Sequence, residues 1–303
     1  MMFVGLDIGG TKTAVSLGSG DGSIRRKQSF PTRGKPEEVL ERCALIIEAY
    51  KKEDDAIRAI GISCGGPLDS EKGIIQSPPN LPLWDDIEIV RYFEERFGIP
   101  TFLENDANAC ALAEWYWGAG VGSSSMIFLT FGTGLGAGLI LDSRLYRGVN
   151  GLAGEAGHIR IADDGPMCYY KKGSWESYCS GCGISGLYKI ATGQERSAKE
   201  VCALADANDP AAKKVLEESA AKLGLGIALL IDLLNVERII IGSIFERSEH
   251  LFRSIMEEVI EKEALQTSRE SCTILPSGLG DRLGDMAALG VARDGYQRST
   301  HNA

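Results

Sequence analysis

FVGLDIGGTKTAVSLGSGDG, residues 3 to 22, begins with a short apolar run, passes through a glycine–threonine turn and continues into a second apolar run. Both runs are short and bounded by turn residues, which is typical of β-strands. SMIFLTFGTGLGAGLILDSRLYRG, residues 125 to 148, repeats the order of strand, turn and strand. This self-similarity indicates an internal duplication, and we therefore predict two α/β halves.

The rest of the chain predicts helices interleaved with further strands. Residues 36 to 53 have apolar side chains at helical spacing, with acids early and lysines late, as the helix dipole favours. Further strands are predicted at 56 to 64, 99 to 106 and 237 to 243, and further helices at 176 to 191, 197 to 206, 210 to 234 and 282 to 296. Alternation of this kind predicts an α/β fold. We place the boundary between the halves near residues 115 to 122.

The composition is that of a soluble globular protein. The 303 residues are 44% hydrophobic and 24% charged, close to the average. The formal net charge of -10 repels phosphate backbones and anionic lipids, so we expect no nucleic acid and no membrane partner. Because no leader pattern or membrane-spanning run occurs, we expect a cytoplasmic protein. The eight cysteines are scattered and predict mostly reduced core thiols.

Two glycine-rich turns are candidates for phosphate binding. DIGGTKT (7 to 13) and TFGTGLGAG (130 to 138) place glycine beside threonine at strand ends, where backbone N–H groups can converge on an anion. One such loop is equally well explained as a hairpin turn, but two at equivalent positions favour nucleotide phosphates. GTGLGA matches the dinucleotide fingerprint, yet β structure follows it instead of the required helix, and no Walker A motif occurs.

LENDANACALAEWYWG, residues 103 to 118, places three polar residues between a strand and an alanine-rich helix. Asn105 or Asp106 could simply cap that helix. Alternatively, Asp106 is a general base facing an alcohol and Asn105 positions it. The helix N-terminus predicts a low carboxylate pKa. Phosphoryl transfer tolerates such a weak base, because the hydroxyl is oriented first and deprotonated late.

Two other loops present polar side chains. GLAGEAGHI (151 to 159) holds Glu155 and His158 between glycines, where they could bind vicinal sugar hydroxyls or simply pin the loop. PPNLPLW (78 to 84) holds Asn80 between prolines that fix the backbone. The alternative for this second segment is an ordinary loop anchored by Trp84.

Together, these motifs resemble the bacterial ROK family, named for repressors, open reading frames and kinases, and especially its glucokinase-like sugar kinases. The resemblance covers nearly the whole chain, in DIGGTKT, GISCGGPLD (61 to 69), PPNLPLW, ENDANACALAE (104 to 114), FGTGLGAG, GEAGH and LLNVERIIIGS (233 to 243). It implies a duplicated actin-like (ribonuclease H-like) two-domain sugar kinase fold with a central cleft. The smaller N-terminal α/β domain would span 1–118, with a C-terminal helix at about 283–303 returning to it, and the larger domain would span 119–282.

The resemblance also implies roles for individual residues. Asp106 would be the catalytic base that activates the sugar hydroxyl. The residues that would hold the sugar are Gly66, Asn80, Asn105, Asp106, Glu155, His158 and Glu176. Those that would serve Mg²⁺ and the phosphates of ATP are Asp7, Gly9, Gly10, Thr11 and Lys12. The second phosphate loop would consist of Thr130, Gly132, Thr133 and Gly134. Gly242 would lie near the nucleotide, where the family has a run of glycines and this chain reads GSIFE (242 to 246).

Many ROK proteins hold a structural zinc with one histidine and three cysteines. The zinc candidates in this chain are His158, Cys168, Cys179 and Cys182. Tyr170 and Ser174 stand where two of the cysteines would be, and the last two candidates, three apart on a predicted helix, are also explained as ordinary helical thiols. We therefore expect no structural zinc, and we expect Tyr169, Tyr170 and Trp175 to brace the loop by packing.

The interpretation is an ATP- and Mg²⁺-dependent, glucokinase-like hexose kinase that phosphorylates the primary hydroxyl. Kinases for N-acetylmannosamine, N-acetylglucosamine, allose and fructose share these motifs and stay open as alternatives. A catalytically silent sugar-binding sensor is the alternative of another class. A ROK repressor would need a DNA-binding segment before Asp7, and because only six residues precede it, we expect none. The resemblance suggests a homodimer.

Overall fold

The protein is described here by a computed structural model that covers residues 1–53 and 56–301. The chain forms two compact units. The first comprises Met1–Val121, Arg147–Leu152 and Asp281–Ala303, and the second comprises Gly122–Tyr146 and Ala153–Gly280. The segment Arg147–Leu152, which falls inside the predicted domain at 119–282, thus lies in the first unit.

The first unit is built on a five-stranded mixed sheet. Its elements, in chain order, are β1 (Met2–Ile8), β2 (Lys12–Ser19), β3 (Ile24–Pro31), α1 (Pro36–Glu53), β4 (Ile57–Cys64), β5 (Leu68–Asp69), β6 (Ile74–Ile75), α2 (Ile89–Phe97), β7 (Thr101–Asn105) and α3 (Asp106–Trp117). The strand order is β3-β2-β1-β4-β7; β1 and β2, like β2 and β3, are antiparallel, whereas β1, β4 and β7 run parallel. The carboxyl ends of the three parallel strands therefore share one edge, where Asp7 pairs with Ser63 and Ser63 pairs with Glu104.

The second unit repeats this arrangement. Its elements are β8 (Met126–Phe131), β9 (Leu135–Leu141), β10 (Arg144–Tyr146), β11 (Met167–Cys168), β12 (Lys171–Lys172), α4 (Gly181–Thr192), α5 (Ala198–Asp206), α6 (Pro210–Leu234), β13 (Arg238–Ile241), α7 (Ile244–Ser248), α8 (Arg253–Glu263), α9 (Gln266–Glu270) and β14 (Thr273–Pro276). The sheet order is β10-β9-β8-β13-β14, with two antiparallel pairings followed by two parallel pairings. Both sheets have the same topology, which confirms the predicted duplication.

The C-terminal helix α10 (Leu283–His301) belongs to the first unit and packs on its sheet. Strand β4 has no side chain at the contact, because the residue there is Gly61. A Cβ atom at this position would lie 2.2 Å from the carbonyl oxygen of Ala288 and from the backbone nitrogen of Ala292. Glycine is required there for the close approach of helix and strand. Residues 302 and 303 of the predicted helix lie outside the described residues.

Each unit has its own apolar core. In the first, β1 is buried along almost its whole length and packs with the apolar face of α1, including Val39, Cys43 and Ile47. In the second, β8 and β13 pack against α6 and α8. None of the helices in residues 1–53 and 56–301 is both long enough and apolar enough to span a membrane.

One predicted helix begins later than expected. The prediction at 176 to 191 becomes α4, which begins at Gly181 because the Ser180 side chain caps it by accepting the backbone N–H of Gly183. Glu176 and Cys179 therefore precede the helix, and only Cys182 lies on it.

Candidate active site

Acidic side chains gather at the carboxyl edge of the first sheet. Asp7 is the penultimate residue of β1, and burial raises the pKa of Asp7 to about 6, with the charges of Asp285 and Asp106 acting in the same direction. Lys12 and Lys27 oppose this rise in the pKa of Asp7. Lys27 also forms an ion pair with Asp285, at the start of α10. Asp7 is thus a largely desolvated carboxylate with two further acids near enough to act on its charge.

Asn105, and not Asp106, is the cap of α3. Its Oδ1 accepts the backbone N–H of Asn108 at 2.8 Å, while Asp106 is the first helical residue and its Oδ1 accepts the N–H of Ala107 at 2.9 Å. Asp106 is an exposed residue by surface area, yet protein atoms crowd the neighbourhood of its carboxylate, and this desolvation raises the pKa of Asp106. The low pKa predicted from the helix N-terminus is therefore wrong in direction, because desolvation outweighs the backbone hydrogen bonds.

The DIGGT turn touches the loop that carries Asn80. A Cβ atom at Gly10 would lie 2.3 Å from the carbonyl oxygen of Asn80, so glycine is required for the two backbones to meet. Trp84 is buried and anchors the loop that carries Asn80. The DIGGT turn is closed by a hydrogen bond in which the N–H of Gly9 donates to the carbonyl of Lys12 at 3.1 Å. Asn80, like Gly66 and Thr11, is exposed and available to a ligand.

In the second unit, the turn between β8 and β9 lies against the N-terminus of α4. The carbonyl of Gly132 accepts the N–H of Gly181 at 2.7 Å, and the carbonyl of Thr133 accepts the N–H of Cys182 at 3.3 Å. The positive end of the helix dipole therefore faces this turn, as in anion sites. Thr130 has a bracing role, since its hydroxyl accepts the N–H of Gly136 at 2.9 Å across the hairpin.

A cavity of about 650 Å³ opens beside this turn. It is lined by Gly132, Thr133, Gly181, Ala198, Lys199, Cys202, Ala203, Asp206, Ser243, Ile244, Arg247 and Ser248. Its volume suits a nucleotide-sized ligand. Gly242 is buried just behind the lining, and Ser243 has φ 61° and ψ -111°, a conformation that residues with a side chain rarely adopt. The wall contributed by α5 escaped the sequence analysis, because a polar helix face alone gives no signal of a ligand.

A single turn of 3₁₀ helix, Ala156–His158, is preceded by Glu155 and ends at His158, and both of these residues are exposed. Glu176 is attached to the same segment, because its backbone N–H donates to the carbonyl of Gly157 at 2.9 Å. The Glu176 carboxylate also accepts the N–H of Leu135 through Oε2 at 2.9 Å. The structure therefore brings Glu176 to both the GEAGH segment and the end of the glycine turn 132–134.

The zinc candidates are arranged differently from a metal site. Cys168 and Cys182 form a disulfide, with Cα atoms 6.3 Å apart, while Cys179 is buried and its Sγ donates to the carbonyl of Ser219 at 3.4 Å. The interpretation of Cys182 as an ordinary thiol is wrong, because the β11–β12 hairpin carries Cys168 to the start of α4. Within residues 1–53 and 56–301, no cluster of three or more histidine, cysteine or acidic side chains could hold a metal ion.

Of the three aromatic residues that were expected to brace the loop by packing, only Trp175 is buried. Trp175 is 1% exposed and packs on α6, where Gly226 leaves room for its ring. Tyr169 and Tyr170 are 65% and 95% exposed, so they do not brace the loop. Both lie at positive φ at the tip of the two-stranded hairpin, which turns their rings outward.

We expect the disulfide to form in protein purified without reductant. Non-reducing peptide mapping should recover the fragments that contain Cys168 and Cys182 as one linked species. Cys182→Ser should lower the free energy of unfolding under oxidising conditions by up to about 3 kcal/mol, the value for closing a loop of this length. Cys272→Ser, at a half-buried free thiol, is the control. One zinc ion per chain, with both thiols unlinked, would contradict this pairing.

One buried acid of the site was missed in the sequence. Asp285 is 7% exposed in a helix stretch of otherwise apolar residues, and its Oδ1 accepts the hydroxyl of Ser16 at 3.3 Å. A charge inside an apolar run was the available signal. Its proximity to Asp7 could not be predicted from spacing, because Asp7 and Asp285 lie near opposite ends of the sequence.

The fold and the site together define an actin-like α/β protein with a duplicated sheet, of the architecture found in sugar kinases. The sequence model of the ROK family matches residues 3–294, and the chain belongs to that family.

Similar proteins include both enzymes and regulators. A glucokinase of Thermotoga maritima is 33% identical over 86% of this chain and 88% of its own. A xylose repressor of Bacillus spizizenii is 30% identical over 95% of this chain and 75% of its own. A solved ROK glucokinase from Streptomyces griseus, in complex with glucose and AMPPNP, has a TM-score of 0.77 at 29% identity and covers 97% of this chain and 99% of its own.

Proposed function

We propose that this protein is an ATP- and Mg²⁺-dependent hexose kinase of the glucokinase type. The observation that carries the proposal is the carboxylate of Asp106, which begins α3 at the carboxyl edge of the first sheet and is accessible to a ligand, while the crowding of nearby protein atoms raises its pKa. The raised pKa brings Asp106 closer to the range in which a carboxylate accepts a proton efficiently near neutral pH.

In the first unit, Asp106 would accept the proton of the sugar's primary hydroxyl and orient that oxygen for in-line attack. Asn105 would present its side-chain amide beside it, and Gly66 and Asn80 would contact other hydroxyls from exposed loop positions. Orientation contributes most when the transition state is loose, because proton transfer then comes late. The rigid helix cap at Asn105 supports such a role.

In the second unit, we assign the sugar-binding roles to Glu155, His158 and Glu176. The phosphates of ATP would lie at the turn formed by Gly132, Thr133 and Gly134, at the N-terminus of α4, with the nucleoside in the adjoining cavity next to Gly242. A glucokinase relative solved with an ATP analogue supports this choice of nucleotide.

The carboxylate of Asp7 would be a ligand of the Mg²⁺ that accompanies ATP, with phosphate oxygens completing its shell. Gly10, Thr11 and Lys12 would bind phosphate oxygens through backbone N–H groups and the lysine ammonium, while Gly9, whose N–H donates to the carbonyl of Lys12, would shape the turn. When bound, Mg²⁺ would neutralise charge on the transferred phosphoryl group. The repulsion that Asp106 and Asp285 exert on the charge of Asp7 supports a cation at Asp7.

A coupled assay of ADP release over a panel of sugars tests the proposal. We expect turnover with glucose, and the panel includes N-acetylmannosamine, N-acetylglucosamine, allose and fructose, because pocket shape decides among them. A silent sensor, an alternative that the xylose repressor relative keeps open, would bind a sugar in calorimetry and release no ADP. The homodimer implied by the resemblance stays a prediction.

A further inference from the structure

Arg147 is the first residue of the short segment of the first unit that interrupts the second unit along the chain. Its Nε donates to Glu104 Oε2 at 2.7 Å, and its Nη2 donates to Asp294 Oδ2 at 3.4 Å. The side chains of Glu104 and Asp294 are 3% and 9% exposed, and that of Arg147 is 22% exposed. Burying three charges brings little net stability, so the arrangement calls for another explanation.

Glu104 connects this arginine to the catalytic turn. Its Oε1 accepts the backbone N–H of Asn105 at 3.1 Å and the side-chain Nδ2 of Asn108 at 2.9 Å. These two residues form the cap and the first turn of α3, on which Asp106 lies. Glu104 therefore accepts hydrogen bonds from the catalytic turn through one carboxylate oxygen and from Arg147 through the other.

We infer that Arg147 is a positioning residue for the catalytic turn: by pairing with Glu104, it holds that carboxylate in place, and Glu104 in turn fixes Asn105 and Asp106. This inference rests on the proposed function. Asp294, on α10, orients the guanidinium from the other side and also pairs with Arg298 at 2.8 Å. Arg298 joins this network through Asp294, on the side away from the hydrogen bonds between Glu104 and the catalytic turn, which makes it a matched control.

The test compares Arg147→Met with Arg298→Met in the full-length protein. Arg147→Met leaves Glu104 as a buried carboxylate without a cation, so the catalytic turn shifts. We expect kcat to fall roughly 10- to 100-fold, the effect of displacing a reacting group by about an ångström, while KM for ATP stays within about twofold. Arg298→Met should leave both constants within about twofold of wild type.

Rescue distinguishes positioning from general packing. In Arg147→Met/Glu104→Gln, the amide oxygen can still accept the N–H of Asn105 and the Nδ2 of Asn108, and no buried charge is left unpaired, because Asp294 keeps its ion pair with Arg298. The double variant should therefore recover most of the kcat lost in Arg147→Met. If thermal melts show that Arg147→Met folds poorly, Arg147→Lys is used in its place. We expect Arg147→Lys to lower kcat less, because lysine keeps the positive charge but lacks the planar guanidinium that donates to two carboxylates at once.

Two results would overturn the inference while the kinase assignment stands. One is equal loss of kcat in Arg147→Met and Arg298→Met, and the other is no recovery in the double variant. Absence of ADP release from the wild-type protein with every sugar is a different failure, since it overturns the proposed function and this inference together.

Discussion

Asp106→Asn should lower kcat for sugar phosphorylation by roughly 10²- to 10⁴-fold, the usual contribution of a general base. The amide keeps the shape of the side chain, and its oxygen can still accept the N–H of Ala107. It cannot take the proton of the sugar hydroxyl. Because desolvation raises the pKa of Asp106, loss of the charge should not destabilise the fold, so the loss of activity should occur without a loss of stability.

The measurement is steady-state ADP release with the best sugar of the panel, alongside thermal melts. Asp209→Asn is the matched control, because Asp209 also begins a helix, capping α6 through the N–H of Ala212 at 2.8 Å. It should retain wild-type turnover. If Asp106→Asn kept turnover within a few-fold of wild type, Asp106 would not be the base.

Asp7→Asn should stabilise the metal-free protein while abolishing most of its activity. Burial raises the pKa of Asp7 from 3.8 to about 6, so the folded state takes up this proton more readily than the unfolded chain. The associated stability is fully present below pH 3.8 and is lost as the pH rises through 6. Because asparagine does not ionise, the variant avoids this loss of stability. The loss is about 3 kcal/mol at most, since each unit of difference between the folded and unfolded pKa corresponds to about 1.36 kcal/mol.

The measurement is the melting temperature from pH 4 to pH 8 in buffer containing a chelator. The advantage of Asp7→Asn over wild type should be largest above pH 7 and should shrink towards pH 4. Asp21→Asn is a control of opposite sign, because hydrogen bonds from Ser19 and Ser23 lower the pKa of Asp21 to about 2. It should lose stability near neutral pH. A pH-independent difference for Asp7→Asn would show that its carboxylate is not desolvated.

Local pattern predicted the architecture well because the strands, turns and helices each leave a signature within a few neighbouring residues. The repeated strand, turn and strand at 3 to 22 and 125 to 148 became the equivalent hairpins of two sheets with identical topology. Helix ends were less certain, and Ser180 shows why, since one side-chain hydrogen bond moved the start of α4 to Gly181.

Contacts between residues that lie far apart in the sequence could not be predicted from the sequence alone. Nothing in the spacing pairs Arg147 with Glu104, or Cys168 with Cys182, because periodicity reveals which face is apolar and not what covers it. The pKa of Asp106 was predicted in the wrong direction for a similar reason: the helix N-terminus is visible in sequence, whereas the crowding of the carboxylate is not.

The hydrogen bond from the N–H of Leu135 to Glu176 joins the proposed sugar contact and the proposed phosphate turn within one unit. On that proposal, a reorientation of Glu176 towards a sugar hydroxyl would require the end of the glycine turn to adjust, and an occupied turn would bias the carboxylate in return. A group shared in this way would link the binding of the two ligands thermodynamically. The factor by which the sugar alters nucleotide affinity must then equal the factor by which the nucleotide alters sugar affinity. The order in which sugar and nucleotide bind would depend on their rates of association, whereas the coupling between their affinities would depend on the Glu176 carboxylate.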